Sequence, residues 1–294
     1  MITGTARPSW ADKKIKLGDC ARVKETLRVL GLGTVCEEAL CPNIGECFSV
    51  GRATFLILGR NCTRACRFCA VQRSEPGPVD PDEPRRVAEG VARLGLRHIV
   101  ITSVTRDDLQ DGGAGAFVDT VRAIRSSSPS VRIELLVPDF GMDRVAIRKV
   151  VEAGPDILGH NIETVRRLYG EAREGADYGR SLAVLGYVKE LDPAMPVKSG
   201  IMLGLGETEP EVLETIRDIA GTGCGFLSIG QYLAPSRAHL QVKEYIRPEM
   251  FTYYMEAALR EGFRHVESGT YVRSSYMAER YGEQGPAQVF SHKP

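Results

Sequence analysis

Apolar positions along the chain come in blocks, and the blocks alternate between two periods. Val23, Leu27 and Leu30 recur at helical spacing, which predicts a helix over Ala21–Leu30 that ends at Gly31 and Gly33. Beyond it, apolar, β-branched runs fall at 53–58, 98–102, 132–137, 156–160, 197–203 and 226–231. Helical segments separate them at 84–94, 116–126, 143–153, 178–190 and 209–220, and a last one at 248–262 follows the sixth run. Each strand reads as a continuous apolar run, the pattern of a strand covered on both faces. Strands alternating with helices of this length predict βαβ units and a parallel sheet. Six repeats in series predict an α/β fold, a partial (β/α)6 TIM-like barrel over residues 52–262. An N-terminal extension (1–51) and a C-terminal extension (263–294) are expected to cover its open mouth. Residues 1–19 are polar and mixed, read as a loosely held arm. Residues 36–51 follow neither period and contain Pro42, Asn43 and Gly45, so they read as a compact loop that needs a stabiliser other than apolar core.

Composition narrows the classes. The chain has 294 residues, 43% of them hydrophobic, enough to bury a sizeable core and too many for intrinsic disorder. Its 38 Lys+Arg balance 38 Asp+Glu, which argues against the basic footprint of a nucleic-acid binder. No Gly-x-Gly-x-x-Gly follows the first strand and no Gly-Lys-Ser/Thr loop is present, so both nucleotide-binding folds lose ground. The first ten residues lack an apolar h-region, and no apolar run approaches the roughly 18 residues of a membrane span. A cytoplasmic protein with reduced thiols, no membrane partner and a monomeric state is therefore expected. The unusual feature is cysteine. Of eight, six fall between Cys36 and Cys69, leaving Cys20 and Cys224 as expected spares.

In β/α barrels ligands gather where strands end. The first strand is followed by Cys62-Thr-Arg-Ala-Cys66-Arg-Phe-Cys69, the second by Ser103-Val-Thr-Arg106-Asp107-Asp108-Leu-Gln-Asp111-Gly-Gly, and the fourth by His160-Asn161-Ile-Glu163. A zinc site would need a fourth ligand, and no nearby histidine completes one. A thioredoxin-like redox pair explains Cys66 and Cys69 but not Cys62. Three thiolates in a short loop suit a 4Fe–4S cluster with one iron left open. The second triplet, Cys36-x4-Cys41-x5-Cys47, is compatible by spacing alone with structural zinc or with a cluster.

Cys62-x3-Cys66-x2-Cys69, directly after the first strand and with Phe68 inside it, resembles the signature of the radical S-adenosylmethionine enzymes. Val35-Cys-Glu-Glu-Ala-Leu-Cys-Pro-Asn-Ile-Gly-Glu-Cys47 and Arg273-Ser274-Ser275-Tyr276 resemble the motifs of the lipoyl synthase family. So do 101–113, 160–163, 198–208 and 230–237, and together they span most of the chain. The resemblance implies two 4Fe–4S clusters and S-adenosylmethionine as cofactors. Cys62, Cys66 and Cys69 would hold the cluster whose open iron binds S-adenosylmethionine and reduces it to a 5′-deoxyadenosyl radical. Cys36, Cys41 and Cys47, with Ser275 in preference to Ser274, would hold an auxiliary cluster consumed as sulfur donor. The implied reaction inserts two sulfurs, at carbons six and eight, into an octanoyl chain on a carrier-protein lysine. The two clusters are then expected to face one another across the substrate.

The implied partners are an octanoylated lipoyl domain or H-protein, an electron donor such as ferredoxin or flavodoxin, and an iron–sulfur carrier. Asn161 and Glu163 resemble positions that hydrogen-bond the cofactor's ribose, although a strand-end glutamate also serves as a helix cap. Arg273 is open to two roles, positioning the substrate amide or the cluster. Asp107, Asp108 and Asp111 are read as ordering their loop with Arg106, and His160 as a packed residue. Gly112 and Gly113 read as a turn before a helix. Two rival readings remain at this level: a biotin-synthase-like enzyme acting on a free small molecule, and a zinc-stabilised scaffold.

Overall fold

The computed structural model describes residues 7–8, 20–49 and 52–281. The expected arm at 1–19 therefore lies almost wholly outside the described residues. The strands in chain order are β1 (Gly33–Thr34), β2 (Thr54–Ile57), β3 (Asn61–Cys62), β4 (Gln72–Arg73), β5 (His98–Ser103), β6 (Arg132–Leu136), β7 (Ile157–Gly159), β8 (Val197–Leu203), β9 (Phe226–Gln231) and β10 (His265–Gly269). Eight of them form one sheet in the order β1-β2-β5-β6-β7-β8-β9-β10, and β3 pairs with β4. Every neighbouring pair from β2 to β10 is parallel, and only β1 runs antiparallel to its neighbour. The sheet is the wall of an open, partial barrel.

The six expected strands are all present, with β8 and β9 at the expected bounds. Their helices follow at Glu83–Leu94, Ala114–Ser127, Arg144–Glu152, Tyr178–Leu191, Glu209–Gly221 and Pro248–Arg260. Local chemistry fixes their starts. Asp143 accepts from the N–H groups of Val145 and Ala146, Asp177 from that of Arg180, and Thr208 with Glu211 forms a capping box. The first helix occupies Ala21–Leu30 and stops where Gly31 turns left-handed at φ 62°. Its Val23, Leu27 and Leu30 are buried in the main core.

Three expectations need correction. Gly33 does not end the helix but opens β1 against β2. The region 36–51 is not an irregular loop: Val35–Glu38 and Ile44–Ser49 are short helices. Thr34 starts the first of them, accepting from the Glu37 N–H and donating to the Glu37 carboxylate at 2.9 Å. Finally, the parallel sheet does not stop at six strands, because β10 pairs with β9 along its whole length.

Charge is buried inside the wall. Lys198 of β8 and Glu134 of β6 are each about 1% exposed and pair at 2.8 Å. His98 lies 3.5 Å from the same carboxylate, and the Lys198 ammonium sits 3.7 Å from the ring centre of Tyr281.

Candidate iron–sulfur sites

The N-terminal triplet lies where β2 and β5 begin. Cys36, Cys41 and Cys47 line one recess together with Asn43, Thr54, His98, Arg273, Ser275 and Tyr276. The recess measures ≈ 500 Å³, open solvent at its mouth included. Segments joined by bonds across 221 to 230 positions of the chain build it. Asn43, 1% exposed, donates from Nδ2 to the Tyr271 carbonyl at 2.7 Å, and the Tyr276 hydroxyl donates to Glu46 at 3.0 Å. Thr54, the first residue of β2, donates from Oγ1 to Ser275 Oγ at 2.8 Å. Arg273 Nη1 donates to the Val272 carbonyl at 2.6 Å, and its charge lies within electrostatic reach of Cys41.

Burial, and then the neighbouring Cys41 sulfur, push the Cys36 thiol up to about 11; burial with Cys36 and Cys41 carries Cys47 to about 12. Such thiols are protonated at neutral pH without a metal. A metal bound there would have to displace those protons and would offset the burial of their charge.

The second triplet occupies the other end of the same two strands. It follows β2 in a loop pinned to the exit of β5: the Thr63 N–H and hydroxyl both donate to the Thr105 carbonyl, and the Thr105 N–H donates to Cys62 Sγ at 3.3 Å. Arg64 sits between Cys62 and Cys66 with its side chain 8% exposed. It makes paired hydrogen bonds to Asp107 after β5 and to Asp139 after β6, all at 2.7–2.9 Å. Arg180 also reaches Asp139 at 2.9 Å. Burial works against the Asp139 charge, but Arg64 outweighs it and holds that carboxyl well below the usual carboxylate range. Burial pushes Cys66 up to about 11 and Cys69 to about 12, and Cys62 and Glu163 add smaller upward pushes to both.

Asn161 and Glu163 meet beside this loop. Asn161 Nδ2 donates to Glu163 Oε1 at 3.0 Å, and burial raises the Glu163 carboxyl against the pull of Arg173 and Asn161. Glu163 does not cap a helix; its φ of 70° and a bridge to Ile201 place it on the barrel wall. Ser274 parts from its neighbour, donating to Asn161 Oδ1 at 3.0 Å, while Ser275 lines the N-terminal recess.

The remaining expected residues have structural partners. Arg106 grips Asp108 at 2.8 Å, and Asp111 accepts from the N–H groups of Gly113 and Gly115. Gly112 and Gly113 turn with positive φ before the helix Ala114–Ser127. His160 is fully buried, with Nδ1 2.8 Å from the Val137 carbonyl. Cys20 and Cys224 are buried, with their sulfurs near the carbonyls of Gly45 and of Val197 and Phe226 respectively. Thr54, His98, Asn43 and Arg173 were not singled out from the sequence. His98 and the charges of β6 and β8 did leave a signal, as ionisable residues within apolar strands. Asn43 left one as a member of the Val35–Cys47 motif, and Thr54 left none.

Among the described residues no three His, Cys, Asp or Glu groups converge as a site for a single metal ion. Each thiolate of a 4Fe–4S cluster binds its own iron, so its donors need not meet at one point. Thiol-rich donor sets of this kind fit such a cluster, and the hydroxyl of Ser275 stands at the N-terminal one.

Comparisons with known proteins identify the family. The Radical SAM superfamily matches residues 56–219. The chain is 57% identical to the lipoyl synthase of Geobacter metallireducens over 96% of its own length and 100% of that protein. It is 54% identical to the lipoyl synthase of Caldanaerobacter subterraneus, covering 93% and 96% of the two chains. Among solved structures, methylornithine synthase (PylB) superposes with a TM-score of 0.56 at 17% identity, covering 86% of this chain and 72% of that one. The hydrogenase maturase HydG from Carboxydothermus hydrogenoformans gives 0.57 at 14%, covering 84% and 65%. The solved structures bear on the fold alone.

Proposed function

The chain belongs to the lipoyl synthase family of the radical S-adenosylmethionine superfamily, and from that membership we propose how its two cysteine triplets divide one reaction. The reaction inserts two sulfur atoms into an octanoyl chain carried on a protein lysine. When bound, the two clusters supply the electron that cleaves S-adenosylmethionine and the sulfur that is inserted. Cys62, Cys66 and Cys69 would hold the first, the one that would cleave S-adenosylmethionine. Asn161 and Glu163 orient its ribose. Cys36, Cys41, Cys47 and Ser275 would hold the second, the sulfur source, with the serine oxygen a harder donor than thiolate. Arg273 positions the groups in that recess, and the barrel wall keeps water from the reacting carbons.

One observation carries this reading: β2 and β5 bear one triplet at their beginning and the other at their end. Four residues of β2 rise on the order of 10 Å, so a substrate within the barrel has a cysteine triplet at either hand. Within the N-terminal extension 1–51 and the C-terminal extension 263–294, residues 36–47 and 271–276 then enclose the second cluster at one end of the barrel of 52–262. The protein substrate is an octanoylated lipoyl domain or H-protein; ferredoxin or flavodoxin supplies electrons, and an iron–sulfur carrier rebuilds the consumed cluster. The enzyme acts as a monomer in the cytoplasm.

The test is anaerobic incubation with reductant, S-adenosylmethionine and an octanoyl-lysyl peptide. Wild-type protein carries about eight irons and yields 5′-deoxyadenosine with dithiolated peptide. Cys41→Ala retains cofactor cleavage without sulfur insertion, and Cys66→Ala loses both. A Cys41→Ala protein that still makes the dithiolated product would refute the sulfur-donor assignment, and one zinc per triplet would remove the enzyme reading.

A further inference from the structure

The Arg273–Tyr276 segment puts its two serines on different sites. Ser275 lies in the recess of Cys36, Cys41 and Cys47, bonded to Thr54. Ser274 donates its hydroxyl proton to Asn161 Oδ1 at 3.0 Å. Asn161 has little freedom beyond that bond. Its amide nitrogen is committed to Glu163, its carbonyl accepts from Arg173 at 2.9 Å, and a Cβ on Gly200 would lie only 3.0 Å from its Oδ1. Neighbouring Cα atoms are held 3.8 Å apart by a rigid peptide, so a shift of Ser275 is passed to Ser274.

We propose that Ser274 couples the two sites, holding Asn161 in place for S-adenosylmethionine while Ser275 is seated in the auxiliary recess. Ser274 is a positioning residue, acting through Asn161. The inference rests on the reading that Asn161 belongs to the cofactor pocket and Ser275 to the auxiliary one. Its consequence is a sequence of events: loosening Ser275 weakens the grip on the cofactor. By linkage, cofactor binding strengthens the hold on auxiliary iron by the same factor.

Equilibrium dialysis of S-adenosylmethionine against oxidised, anaerobic protein carrying both clusters tests this without turnover. Coupling predicts that Ser274→Ala raises Kd about fivefold, the net contribution of one hydrogen bond. Ser275→Ala raises it similarly, and the double variant no further than either single one. Ser274→Thr, which keeps the hydroxyl, restores tight binding. In parallel, saturating S-adenosylmethionine slows iron release to a chelator in wild type but not in Ser274→Ala. Weakened binding in Asn161→Ala with none in Ser274→Ala, or serine effects that multiply in the double variant, overturns the coupling while leaving the pocket assignment intact. Unchanged binding in Asn161→Ala overturns that assignment and the coupling with it.

Discussion

His160 is enclosed completely and uses Nδ1 against the Val137 carbonyl. Burial, followed by the nearby Arg173 charge, depresses its pKa from 6.5 to about 3; Arg64 acts in the same sense, while the Val137 carbonyl and Asp139 oppose it weakly. The folded ring is therefore neutral at any pH where the protein is handled. Above pH 6.5 the unfolded chain is neutral there too, and the residue contributes no pH dependence. Below 6.5 the unfolded chain takes up a proton that the folded one refuses, so stability falls as pH falls, by about 1.4 kcal/mol per pH unit until the folded pKa is reached. The full span corresponds to roughly 5 kcal/mol, and the step from pH 7 to pH 5 to about 2 kcal/mol. Urea unfolding of wild type and His160→Gln at both pH values measures it. Proton release from the cluster thiols is common to the two proteins and cancels in the comparison. Wild type should lose about 2 kcal/mol more than the variant between pH 7 and pH 5. Equal losses would refute the argument, because the ring would then be charged in the folded protein or protected in the unfolded one.

Asp139→Asn removes the shared partner of Arg64 and Arg180, and should cost about 3–5 kcal/mol, as breaking a buried ion pair does; thermal unfolding reads the loss. Iron bound by the Cys62 loop should fall with it, and Arg64→Lys should not substitute for Arg64, since a point charge cannot bridge two carboxylates bidentately. Gly230→Ala would place a Cβ 2.2 Å from the Val272 carbonyl. It should displace the segment carrying Ser275, lowering auxiliary iron and sulfur insertion while cofactor cleavage survives at saturating S-adenosylmethionine; iron analysis and 5′-deoxyadenosine assays distinguish the two.

The βα repeats were legible because each strand is a continuous apolar run and each helix has a buried stripe, as in Val87, Val91 and Leu94. β10 was not, because only Val266 breaks a polar run: His265 and the buried Glu267 contact each other at 2.9 Å, so the strand is held by polar partners rather than marked by hydrocarbon. The two short helices near Cys36 and Cys47 are under two turns long, too brief for a period to emerge. Both triplets were legible from spacing and neighbours. Their placement was harder: the rule that barrel ligands gather where strands end holds for Cys62–Cys69 but not for the recess at Thr54, which only tertiary contacts create.

The bond between Thr54 and Ser275 joins residues 221 positions apart. A ribosome adding about 5–20 residues per second needs roughly ten to forty-five seconds to make that stretch. During that interval Cys36, Cys41 and Cys47 have emerged without the wall that encloses them. Closure of the recess around Cys36, Cys41 and Cys47 is therefore a late event, waiting on the segment that carries Ser275. A nascent chain halted before Ser275 should still be able to complete the loop of Cys62, Cys66 and Cys69, whose anchors Asp107, Asp139 and Arg180 are by then in place.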